Sequence, residues 1–122
     1  MAVIRFSDAA LVDIEHILRS SHQNFGAVAR LRYELLLTVA LQDIALDPYR
    51  VGSVERPEIG ATVRSYHLRH SRDRARHSTG IVKRPRHFMI YRALDTNVVG
   101  IGRVLYDAME LEQHAPSDYG QS

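Results

Sequence analysis

The chain contains no cysteine, and only one of its sixteen cationic side chains is a lysine. The missing cysteine excludes disulfides, thiolate metal sites and cysteine nucleophiles. No apolar run approaches the roughly 20 residues needed to cross a bilayer. The first residues also lack the basic and then apolar blocks of a secretory signal, so the chain reads as a soluble cytoplasmic protein with no membrane partner. A phosphate-cradling glycine loop is absent too: Gly100-Ile101-Gly102 lies in strand-forming sequence, where glycine marks close backbone approach or a bulge. There are seven histidines. His67 and His70, three apart on an expected strand, point to opposite faces, and His16, His22, His77, His87 and His114 share no ligand spacing, so neither metal nor cofactor is expected. Nothing spaces serine, histidine and aspartate into a nucleophilic triad.

What is present is a single domain's length, 122 residues, and a net charge of +2 that is unevenly placed. Arg69, Arg72, Arg74, Arg76, Lys83, Arg84 and Arg86 stand against Asp73 alone, leaving the remainder of the chain mildly acidic. Arginine is a planar multidentate donor suited to phosphates and to carboxylates. The basic segment 69–86 therefore reads as a face for nucleic acid, as a face for an acidic protein, or as a solvated loop.

Val3-Ile4-Arg5-Phe6 reads as a short strand, followed by Ser7 as a helix N-cap and Asp8 in the first turn. Leu11, Ile14, Ile17 and Leu18 recur at helical spacing to about Ser21, before a polar break at residues 20–24. A second helix carries Ala27, Leu31, Leu35, Val39, Leu41 and Ile44 and ends at Asp47-Pro48. Its centre is apolar nearly all round, so Leu35, Leu36 and Val39 are candidates for contact with a partner. Residues 49–60 read as a loop, 61–68 as a strand and 69–86 as an extended connection with a mobile tip. The clearest local signal is His87 to Asp107, two β-branched and aromatic arms about Asp95-Thr96-Asn97, which predicts an antiparallel hairpin. Residues 115–122 read as a disordered tail. The order β-α-α-β-β-β predicts an α+β domain over residues 1–114, with a helical hairpin on one face of a small antiparallel sheet.

The fold would gather four donors on the sheet: Arg64, Arg92, Arg103 and Tyr106. Cleavage of RNA through its 2′-hydroxyl needs a base, a cation on the phosphate and an acid. The arginines would serve the phosphate, and Tyr106, His67 or His87 would have to supply the acid and base. The alternative is that the tyrosines are ordinary strand aromatics and the arginines pair with Asp95, Asp107 or Glu110. No acid–base pair stands out by spacing, which favours binding over catalysis.

Ile4 to Ile17 (Ile-Arg-Phe-Ser-Asp-Ala-Ala-Leu-Val-Asp-Ile-Glu-His-Ile), Gly26-Ala27-Val28-Ala29, Leu46-Asp47-Pro48, Gly60 to Arg64, His87 to Arg92 and Ile101 to Tyr106 together resemble the ParE branch of the ParE/RelE toxin superfamily, over about Val3 to His114. The resemblance implies the toxin of a type II toxin–antitoxin system, not itself an enzyme, that inhibits DNA gyrase and so replication by binding. It further implies neutralisation by a ParD-like antitoxin in a hetero-oligomer, with operator DNA reached only through that antitoxin. The alternative within the superfamily is a RelE-like ribosome-dependent mRNA endoribonuclease, with Arg64, Arg92, Arg103 and Tyr106 at its site. Two features depart from the family pattern: Tyr106 stands where a histidine is usual, and residues 69–86 look like an insertion.

Overall fold

Strand β1 (Val3–Phe6) turns directly into helix α1 (Asp8–Phe25) at Ser7 in the computed structural model, which describes residues 1–121. The Ser7 hydroxyl accepts the Ala10 N–H at 3.0 Å and donates to the Gly102 carbonyl at 2.7 Å, so one side chain caps the helix and ties it to the far end of the chain. The helix runs through the stretch 20–24 that composition predicts as a break. Asn24 bonds Ser20 one turn back at 3.1 Å, and the helix stops only at Gly26, whose φ of 94° suits glycine alone. Gly26 also begins helix α2 (Ala27–Leu46) without a side-chain cap.

The sheet has five strands in the order β1-β5-β4-β3-β2, with β2 at Ser53–Glu55, β3 at Arg64–His67, β4 at His87–Asp95 and β5 at Val98–Tyr106. The α+β class and the helical hairpin agree with the sequence reading, and two details extend it. First, β1 runs parallel to β5, Val3 opposite Val98 and Phe6 opposite Ile101, so the sheet is mixed. The helical hairpin carries the chain from β1 to the far edge of the sheet, and the strands then return to place β5 beside β1. Second, the expected loop 49–60 contains β2, which pairs antiparallel with β3. A turn at Gly52, φ 100°, admits it; a Cβ there would meet the His70 ring at 2.6 Å.

On the helix side the core joins Leu36, Leu37, Ala40 and Ile44 of α2 to Tyr66, Met89, Tyr91, Val99 and Ile101 of the sheet. Leu11, expected on the buried stripe of α1, is 51 % exposed, and Ala10 takes its place in the core. The reverse face carries Val63, Phe88, Ile90 and Leu105, and it too is covered. The tail predicted to be disordered lies across it: Tyr119 is only 6 % exposed, and apolar burial holds a segment whose composition looked terminal. Of that predicted tail, Ser122 lies outside the described residues.

The tail can lie so close because β5 offers glycines. A bulge at Gly102, where Arg103 faces Ile90 but Ile101 faces Tyr91, brings the backbone beneath Pro116 and Tyr119. A Cβ at Gly102 would meet Pro116 at 2.6 Å and the Tyr119 ring at 2.7 Å. Gly102→Val is therefore expected to lift the tail and cost about 1–3 kcal/mol by overpacking. The C-terminal residues should then become markedly more sensitive to carboxypeptidase; unchanged sensitivity would show that the tail is not held there.

The basic segment is ordered rather than a mobile tip. Leu68–Arg74 forms a 3-10 helix against α2, with Leu68, Ser71 and Ala75 buried. Arg72 donates to the Lys83 carbonyl at 3.2 Å, and Arg32 of α2 holds Thr79 through its Nε at 2.9 Å. The reason is a carboxylate buried in α2, Asp43, which draws Arg74 and Ser71 onto the helix.

Candidate functional site

α1 and the start of α2 form one wall of a cleft of about 1360 Å³, and residues 81–87 with the end of β5 form the other. Apolar groups line its base, among them Val12, Ile17, Val82, Val104 and Met109. Arg32, Lys83, Arg84, Arg86 and Arg103 stand around it against one carboxylate, Asp13. Phe25, at the end of α1, is 79 % exposed at the margin. No helix is long and apolar enough to cross a membrane among the described residues.

Arg103 donates through Nε and Nη2 to the two oxygens of Asp13, at 2.7 and 2.9 Å, and the Val104 N–H adds a third bond at 3.0 Å. This planar fork braces α1 against β5 and cancels the charge of Arg103. Tyr106 is 39 % exposed, with the Arg86 guanidinium 5.0 Å above its ring and the His87 ring edge-on at 5.7 Å.

Deeper in the cleft Tyr33 of α2 meets His87. The Tyr33 oxygen accepts the Arg86 N–H at 3.2 Å and lies 2.5 Å from His87 Nδ1. Burial pushes the Tyr33 phenol up to about 12 and the His87 imidazole down to about 4. At neutral pH the phenol is therefore protonated and the imidazole neutral, so Tyr33 donates and Nδ1 accepts. Neither group changes charge near pH 7, and the phenol proton is committed to His87 Nδ1. Asp107 is partly desolvated, but bonds from His67 at 3.0 Å and from Arg86 at 3.0 to 3.3 Å hold its carboxyl below the usual range. The other nitrogen of His67 accepts the Arg69 N–H at 3.0 Å.

The four donors predicted to converge do not. Arg103 and Tyr106 reach the cleft. Arg64 lies toward the far edge of the sheet, bonded to Ser53 Oγ at 2.6 Å, 3.6 Å from Glu55 and 5.1 Å over the Tyr49 ring. Arg92 is over the Tyr119 ring at 5.4 Å, on the face the tail covers. Alternation along β4 separates it from Tyr91. Among the apolar candidates for a partner, Leu36 is wholly buried in the chain's own core, while Leu35 and Val39 are half-buried against it. The chain's own core takes up much of the face of α2 that the sequence left for a partner; α2 exposes Val28 and Leu31 instead, and Val12, Phe25 and Met109 are exposed at the cleft. Tyr33 was not singled out by sequence; its one signal is that it is the only aromatic residue in α2.

No curated protein matches the chain. A family model described as "ParE toxin of type II toxin-antitoxin system, parDE" matches residues 4–111, which takes in both helices, all of the sheet but Val3, the basic segment and the whole lining of the cleft. A match over most of the chain, on a fold with the order the family predicts, makes this chain a member of the ParE toxin family, the toxin half of a type II toxin–antitoxin pair with a cognate antitoxin.

Proposed function

We propose that the chain arrests replication by binding DNA gyrase, without catalysing a reaction of its own, and that a ParD-like antitoxin neutralises it by laying an apolar, acidic segment in the cleft. The antitoxin forms a hetero-oligomer with the toxin and provides the contact with operator DNA. The observation that carries this reading is the state of the cleft. It has an apolar lining and two cations, Lys83 and Arg84, with no carboxylate partner among the described residues, while its buried phenol and imidazole are locked together with their pKa values shifted away from neutral pH. That chemistry suits an acidic amphipathic partner, and its buried phenol and imidazole are bonded to each other rather than presented to a substrate.

Tyr106, held by Arg86 at the open end of the cleft, is the side chain best placed to touch the target. Purified toxin is expected to inhibit supercoiling by gyrase. Tyr106→Ala should raise the concentration required by about tenfold or more, the loss typical of an aromatic anchor at an interface. Its thermal midpoint should stay near that of the parent because the ring is substantially exposed. Ribosome-dependent cleavage of mRNA with supercoiling untouched would instead establish the RelE-like endoribonuclease.

A further inference from the structure

A second concavity, of about 360 Å³, opens on the reverse side of the sheet, where β2, β3 and the start of the 3-10 helix meet beside Phe88. Its polar lining consists mainly of donors. Arg56 is anchored by its Nε on Ser65 Oγ at 2.8 Å, and Ser65 is only 4 % exposed. The nearest carboxylate to that guanidinium, Glu58, stands 4.0 Å away at the limit of an ion pair. Arg69 also lines the pocket: its backbone N–H is fixed on His67, and its guanidinium has no partner among the described residues. His70 rests against Gly52 and lies 5.6 Å from the Tyr66 ring, with neither ring nitrogen hydrogen-bonded among the described residues.

The one acid on the wall does not neutralise these groups. Asp107 is already paired with Arg86 and His67. Apart from the marginal Arg56–Glu58 contact, two guanidinium groups and an imidazole thus line one pocket with no carboxylate matched to them among the described residues. Such an arrangement leaves donor capacity unfilled and favours an incoming anion. A carboxylate presents only two oxygens, whereas a tetrahedral phosphate presents enough to accept from Arg56, Arg69, His70 and Ser65 together.

We infer that this pocket is a phosphate site that takes the phosphate group of a nucleotide or nucleic acid, held by Arg56 and Arg69, with His70 and Ser65 completing the donor set. The remaining room, beside Phe88 and Val54, accommodates an attached sugar. The site stands apart from the cleft and does not rest on gyrase being the target.

Purified full-length chain titrated at constant ionic strength with inorganic phosphate, adenosine 5′-monophosphate and a short single-stranded oligonucleotide tests this, followed by backbone amide NMR. Saturable shifts are expected at Ser65, Arg69 and His70. Arg69→Gln should weaken binding about tenfold, the value of one charge-assisted hydrogen bond. Its fold should be retained, because that side chain supports nothing else. Arg30→Gln, at an arginine of α2 with no side-chain partner among the described residues, should leave binding unchanged. Tighter binding of the nucleotide or oligonucleotide than of inorganic phosphate supports the site with nucleic acid as the source, and equal affinity supports it with the free anion sufficing. Shifts that do not saturate, or an equal loss in Arg30→Gln, would overturn the site by reducing it to general attraction of anions.

Discussion

Asp43→Ala is expected to destabilise the chain by about 3 kcal/mol and to lower its thermal midpoint by roughly 10–15 °C. The carboxylate is 2 % exposed and accepts from Ser71 at 2.6 Å, which in turn accepts the Tyr66 hydroxyl at 2.8 Å. Arg50 approaches its other oxygen at 3.3 Å, and Arg74 closes over it from the solvent side. Removing the carboxylate strands a buried serine and leaves Arg50, whose Nε already lacks a partner, without its counter-charge. Arg74 is half-exposed, so Arg74→Ala should cost less than about 1 kcal/mol. Asp43→Asn, which keeps an acceptor for Ser71, should fall between the two. Thermal denaturation orders the three variants, and limited proteolysis between Arg72 and Lys83 should accelerate most in Asp43→Ala. A midpoint within two or so degrees of the parent would mean that Asp43 does not hold the basic segment.

Acidification should remove a comparable amount of stability through His87. Burial lowers its pKa from 6.5 to about 4, against the opposing field of Asp107 and with small additional effects of His67 and Arg86. Between those values the unfolded chain binds a proton that the folded chain does not, so stability rises with pH across the window. The contribution is complete above about pH 6.5 and shrinks as pH falls toward 4, by a total of about 3 kcal/mol. His70, also lowered by burial and by Arg69, acts with the same sign. Asp107 acts elsewhere: its carboxyl is held below 3.8, so its contribution is lost at lower pH still. Urea denaturation at pH 7, 6, 5 and 4 should show the decline, and His87→Gln should flatten much of it. An equally steep decline in His87→Gln would assign the acid sensitivity to other groups.

What could be read from sequence was whatever local chemistry decides. Ser7 followed by an apolar helical period announces a helix start whatever lies around it, and the β-branched and aromatic arms of β4 and β5 about a short polar link are enough to declare a hairpin. By contrast, β2 is three residues long and exists because β3 offers it an edge. The tail owes its order to Gly100 and Gly102, about fifteen to twenty positions upstream, where missing side chains make room for Pro116 and Tyr119. The site was partly legible for the same reason. Arg103 and Tyr106 could be placed at one end of β5, but the partner of Arg103 lies on α1 and the partner of His87 on α2. Pairings between distant elements leave no mark in local spacing.

The parallel pairing of β1 with β5 has a consequence for how this toxin is made. Ser7 reaches the Gly102 carbonyl across 95 positions of sequence, so the first strand has no sheet partner until β5 has been translated. A nascent chain that has reached only β4 has both helices but no strand on which β1 can settle, and it lacks the wall of the cleft that carries Arg103 and Tyr106. The toxin domain therefore becomes structurally complete only once β5 has been made, and a stop codon before Val98 should yield an unfolded fragment rather than a weakened poison.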